Sequence, residues 1–194
     1  SDRLESVSAD VAAQLEDMQA EAAALEQEAE EAEAAAVARA ALADIRTAVN
    51  EGAPYAGALA SLEEAGPVEV PAVLTDNAES GVASLSALRE SFPEAARAAL
   101  AAVRAEETGG GLGGFLERQL NVRSVEPREG EDPDAVLSRA DAAVAEGRIG
   151  DALAEITVLP PPAQEAMSDW TAAATARTEA RAAVESLTTT LTTN

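Results

Sequence analysis

From Leu4 to Val49 the chain runs without a single Gly or Pro. A stretch of that length, built mainly from Ala and Glu, contains no helix terminator and many strong helix formers. It predicts one continuous helix about 70 Å long, at about 1.5 Å per residue. Leu4, Val7, Val11, Leu15, Met18, Ala22, Leu25, Ala29, Ala32 and Ala36 recur in steps of three and four. One step of four is doubled, at Val11–Leu15, a stutter in an otherwise coiled-coil spacing with a weak, Ala-dominated seam. Leu42, Ile45 and Val49 are expected to extend the same face. Such a helix is either a solvated spacer or an oligomerisation stalk, and the like charges crowded between Glu26 and Glu33 weaken self-association.

Composition sets the thickness of whatever else folds. About a quarter of the 194 residues are Ala, and only Tyr55, Phe92, Phe115 and Trp170 are aromatic. A wide core cannot be filled this way, whereas thin layers of closely packed helices suit small side chains. The expectation is therefore an all-α protein: the long helix, a helical bundle, and a C-terminal helical hairpin followed by a long helix. Residues 1–51, 52–133 and 134–194 divide the chain along these lines.

Absences narrow the chemistry. The chain has no His and no Cys, and all 13 basic residues are Arg. Imidazole bases, thiol nucleophiles, Schiff-base lysines and the usual structural zinc ligands are therefore missing. Carboxylate pairs such as Glu63-Glu64 and Glu106-Glu107 lie beside helix ends and read as solvated faces. These features predict that the chain is not an enzyme and carries no cofactor or metal. A formal net charge of −23 repels phosphate backbones and argues against nucleic acid. No segment approaches the roughly 18 apolar residues of a membrane span. The chain opens inside a helical pattern, so any membrane anchor is expected before Ser1.

Charge is distributed unevenly. Residues 1–36 hold eleven acids against one Arg, whereas residues 85–128 balance six Arg against six acids. After Gly52 and Pro54, short helices are expected near residues 55–64 and 71–78. A longer pattern over 84–107 places Leu85, Leu88, Phe92, Ala96, Ala99, Leu100 and Val103 on one face. Pro93 sits inside it, and two successive helices with Ser91 as cap are preferred to one kinked helix. The glycine string at 109–114 lacks the Lys and preceding strand of a phosphate loop and reads as a hinge. Residues 121–125 read as extended and 126–134 as a charged loop.

The stretch Leu112, Phe115, Leu116 and Leu120 with Arg118 and Arg123 is amphipathic and lies in the least acidic part of the chain. Arg stems can lie along an acyl boundary while their heads meet lipid phosphates. Each Arg near an anionic bilayer contributes about 1 kcal/mol, and each inserted Leu or Phe about 1.5–3 kcal/mol. The competing reading docks these side chains into the protein's own core. Further on, 134–146 and 149–159 read as a hairpin turning at Gly147. A final helix over 163–188 carries Met167 and Trp170, and its Thr-rich tail is expected to fray. Leu137, Val144, Leu153, Ile156, Met167 and Trp170 are the expected packing residues of this last third.

The order of these features resembles the periplasmic part of bacterial mitofilin-type proteins. The features are the acidic helix, Pro54-Tyr55, Leu59-Ala60-Ser61-Leu62, Leu85 to Arg97, Phe115 to Arg123, the Ala/Gly hairpin and the helix bearing Trp170. The resemblance implies a scaffold on the periplasmic side of the inner membrane, anchored by one N-terminal span and able to self-associate. It implies contact with membrane lipids, anionic ones included, and with an outer-membrane assembly protein. Its lipid-contacting region falls on residues 84–123, so Arg89, Arg97 and Arg104 join Leu112, Phe115, Leu116, Arg118, Leu120 and Arg123 as expected lipid contacts. The chain departs from that family in having no Lys and a locally neutral lipid region. A second, similar helical layout is that of the membrane protein related to uroporphyrinogen-III methyltransferase, which lacks clear catalytic residues. A periplasmic adaptor binding only protein partners is the remaining alternative.

Overall fold

A computed structural model describes residues 2–109 and 132–193. Among these residues the protein is all-helical: α1 (Asp2–Glu51), α2 (Ala56–Glu64), α3 (Ala72–Asp76), α4 (Leu85–Gly109), α5 (Pro133–Glu146), α6 (Ile149–Ile156), α7 (Pro161–Ala166) and α8 (Ser168–Thr193). A long N-terminal helix is followed by a bundle in which the α5–α6 hairpin precedes the long α8.

Two apolar clusters make up the core. One gathers Ala38, Leu42, Ile45 and Val49 of α1 with Leu59, Leu62 and Leu74 of α2 and α3, and Val184 and Leu187 from the end of α8. The other gathers Leu88, Phe92 and Ala99 of α4 with the buried faces of α5, α6 and α7, and Trp170 and Ala174 from the start of α8. The last helix is thus a spine shared by both clusters.

Local chemistry explains the joints. The helix α1 ends at Gly52, whose φ of 80° suits a residue without a side chain. The chain returns past this point at Gly81, also left-handed at φ 73°, where an added Cβ would lie 2.6 Å from the Ala53 carbonyl oxygen. Gly147, at φ 80°, caps α5 while the amide of Arg148 donates to the Ala143 carbonyl, closing a Schellman turn into α6. Across this hairpin Arg139 pairs with Glu155 at 2.7 Å. That hydrogen bond holds the half-buried Glu155 carboxyl below its usual range.

Four sequence expectations are corrected. The 84–107 pattern is one helix, with Pro93 inside it. Ser84 is its cap, its hydroxyl accepting from the Ala87 amide, whereas the Ser91 hydroxyl donates back to Ala87 within the helix. Pro93 is tolerated because it lies on the exposed side, where the Arg89 carbonyl it leaves without an amide donor can be reached by water. The final helix is divided at Met167, whose backbone leaves helical geometry (φ −98°, ψ 4°) while its side chain is fully buried. The helix does not stop at residue 188 but continues through the Thr-rich end to Thr193. There the hydroxyls of Thr188, Thr189, Thr190 and Thr192 donate to carbonyls one turn back. Leu42, Ile45 and Val49 do not extend the face formed by Leu4 to Ala36. The step from Ala36 to Leu42 is six residues, which turns the helix by about 240° at about 100° per residue.

Leu137, Val144, Ile156, Met167 and Trp170 are all buried in the second cluster, and Leu153 packs partly buried against it.

Candidate interaction surface

The feature most available to another molecule is the free part of α1. Every residue from 10 to 33 is exposed, and burial begins only where Ala38 meets the bundle. Residues 2–33 form a rod reaching about 48 Å from the head, at about 1.5 Å per residue. Along it Val7, Val11, Leu15, Met18 and Leu25 are 49% to 66% exposed. Isolated exposed apolar residues are ordinary, but a helical stripe of them marks a contact face. Ala32 and Ala36 are exposed while Ala38, Ala41 and Ile45 are buried. At about 100° per residue the two sets lie about 180° apart around the helix axis. The seam therefore faces away from the side that the head covers.

The base of the rod is held by a residue that sequence reasoning passed over. Arg177 is only 5% exposed, although it carries a charge. One guanidinium nitrogen donates to the carbonyls of Val49 at 2.9 Å, Asn50 at 3.4 Å and Ala83 at 3.1 Å. Val49 and Asn50 are in the last turn of α1, where carbonyls lack helical partners and the helix dipole is negative. Burial, followed by the neighbouring Arg181, pushes the Arg177 guanidinium below its ordinary pKa. Arg177 stands between the two clusters on α8 and fastens the end of α1 to the start of α4. The legible signal was a charge on the Trp170–Ala174–Val184 stripe, although spacing alone does not separate Arg177 from Arg181 on the same stripe.

Arg89 has a related task. Its Nε donates to the Val144 carbonyl at 3.2 Å and its Nη2 to the Ala145 carbonyl at 2.6 Å, capping the C-terminal end of α5. The guanidinium is thereby committed within the head. Arg97 is exposed and its Nε donates to the Pro93 carbonyl at 3.0 Å in its own helix. Arg104 is also exposed, on the same side of α4 as Arg97. Leu112, Phe115, Leu116, Arg118, Leu120 and Arg123, together with the expected hinge and charged loop, lie outside the described residues.

Trp170 is a core residue. Its ring meets Phe92 edge-on at 5.0 Å, and its indole N–H donates to the Leu88 carbonyl at 3.0 Å. The Tyr55 hydroxyl is buried in the other cluster without a hydrogen-bond partner among the described residues, and burial raises its pKa above the usual value. The concavities on the head are open clefts, one beside Arg46 and Arg181 and another along Leu88 and Trp170. None of the described helices is long and apolar enough to cross a membrane. No family model, curated protein or solved structure matches this chain.

Proposed function

We propose that this protein is a non-enzymatic scaffold, in which a helical head holds an acidic rod out for contact with a protein partner. The observation that carries this reading is the solvent-exposed apolar seam of α1, turned away from the head. A rod without a second attachment would connect nothing. The second attachment in this proposal is reversible bilayer contact through Leu112, Phe115, Leu116 and Leu120 flanked by Arg118 and Arg123, which fall in the sequence between α4 and α5. Arg97 and Arg104, exposed on the helix leading into that stretch, add local positive charge. By resemblance to mitofilin-type proteins, the bilayer would be the bacterial inner membrane and the work would be membrane organisation.

Vesicle co-sedimentation tests the membrane half of the proposal. The chain is expected to pellet with anionic vesicles, and Phe115→Glu or Arg118→Glu to reduce pelleting without loss of helicity by circular dichroism. Retention in the supernatant with vesicles of every charge and curvature would leave an adaptor that binds proteins alone.

A further inference from the structure

We infer that the rod's seam is a docking face for a helix with basic flanks, supplied by another protein and not by a second copy of this chain. The inference deepens the scaffold reading, on which it rests for the rod's connecting role.

The argument starts from register. Counting heptads from Leu15 puts Leu15, Ala22 and Ala29 at a, and Met18, Leu25 and Ala32 at d. Glu26 and Glu33 then fall at e, and Glu21 and Glu28 at g. In a parallel pair of identical rods, g faces e of the next heptad on the partner helix, so Glu21 meets Glu26 and Glu28 meets Glu33. In an antiparallel pair g faces g and e faces e, which again sets acid against acid. Neither orientation escapes, because residues 4–38 hold ten acids and no basic residue. A second copy therefore meets repulsion along both edges of a narrow seam. A helix carrying Lys or Arg at e and g converts each of those contacts into attraction, which also sets its choice of partner.

Shape points the same way. Ala22, Ala29 and Ala32 are exposed and leave shallow holes, so bulky knobs must come from the other helix. The bundle covers the opposite face of α1 and reaches the seam's edge only at Glu33, which lines a cleft with Ser61 and Glu64 of α2, so a docked helix can run along the rod and come near the head only at its base.

The probe is a synthetic four-heptad helix with Leu at a and d and Lys at e and g, a design that matches this seam. It is added to the whole chain and binding is followed by fluorescence anisotropy, with sedimentation velocity of the chain alone beside it. The Lys-flanked helix is expected to bind and a Glu-flanked version not to bind. A peptide of the same composition with its heptads scrambled is expected to bind weakly. The triple variant Leu15→Gln, Met18→Gln, Leu25→Gln keeps the charge and is expected to abolish the difference between ordered and scrambled peptides. Reversing Glu21, Glu26, Glu28 and Glu33 to Lys should exchange the preference. It should weaken the Lys-flanked helix by about tenfold or more, the change that four exposed ion pairs supply. Equal binding of ordered and scrambled peptides would overturn the inference. So would a dimer of the chain that the triple variant dissolves, since a second copy would then cover the seam. Phe115→Glu leaves this assay unchanged and the triple variant leaves vesicle sedimentation unchanged, so the two readings fail separately.

Discussion

The two ends of α1 are both rich in Ala and both carry an apolar stripe, the outer one far more acidic, and they have opposite fates. Residues 10–33 are exposed throughout, whereas Ala38, Ala41, Leu42, Ile45 and Val49 are buried against α2, α3 and α8. Alanine content does not separate them. What separates them is the side of the helix that carries the apolar residues and what stands opposite. Below Ala36 the larger side chains meet solvent on one side; beyond Ala38 they meet Leu62, Leu74 and Val184 on the other. A single rigid helix thus offers one face to its own chain and leaves the other for a partner. Its two stripes point in opposite directions, so the whole helix looks barely amphipathic.

This contrast can be broken or sharpened by substitution, followed by chemical denaturation. The largest effect is expected at Trp170→Ala, which empties the space beside Phe92 and removes the bond to Leu88, costing about 3–5 kcal/mol. Gly81→Ala comes next. It forces a side chain into a left-handed backbone and against the Ala53 carbonyl, at a cost of about 2 kcal/mol or more. Arg177→Met leaves the buried Val49 carbonyl at the end of α1 and the half-buried Ala83 carbonyl before α4 unpaired and is expected to cost about 1–3 kcal/mol. It should also speed amide exchange at residues 45–51 relative to the α5–α6 hairpin. If exchange there is unchanged, Arg177 does not fasten the rod.

Tyr55→Phe runs in the other direction. The hydroxyl is buried without a partner, so its removal should stabilise the head by about 1 kcal/mol. Because burial raises the phenol pKa, the folded state holds the proton more tightly than the unfolded chain. The stability gained in this way is present below about pH 10 and is lost as pH rises through the folded pKa. Tyr55 is the chain's sole tyrosine, so tyrosinate absorbance reads this group directly. An ordinary phenol titration in the folded protein would contradict the buried placement. The smallest effect is expected on the rod, where Met18→Ala should change the stability of the head by less than about 0.5 kcal/mol. A larger change would mean that the rod folds back on the head.

Much of the fold was legible because helix signals are local. The Gly- and Pro-free run announced α1, Gly147 announced the hairpin turn, and Leu88, Phe92 and Ala99 shared a face before any packing was known. The Ser91 cap was misplaced, since Ser84 caps the helix, and the break at Met167 was not foreseen. Pro93 reads as a helix start until one knows that its side faces solvent, and Met167, fully buried in the second cluster, reads as mid-helix from its spacing alone. The rod's seam was visible as a three-and-four spacing, but its vacancy was not, since spacing is the same for a covered stripe and an open one. Arg177 could have been noticed as a charge on an apolar stripe. Its partners, 128 and 94 residues away, could not.

The amino-acid order by itself determined that this protein is built of helices, that its first helix is long and acidic, and that its core is thin. Those properties follow from propensity, capping and composition, which act over a few residues. Only the tertiary structure decided which of the two α1 stripes the head covers and which it leaves to solvent, and that α8 serves both clusters with Arg177 between them. Such outcomes depend on which surfaces meet across the chain; helix periodicity sets the two stripes of α1 apart but carries no information about which one is covered.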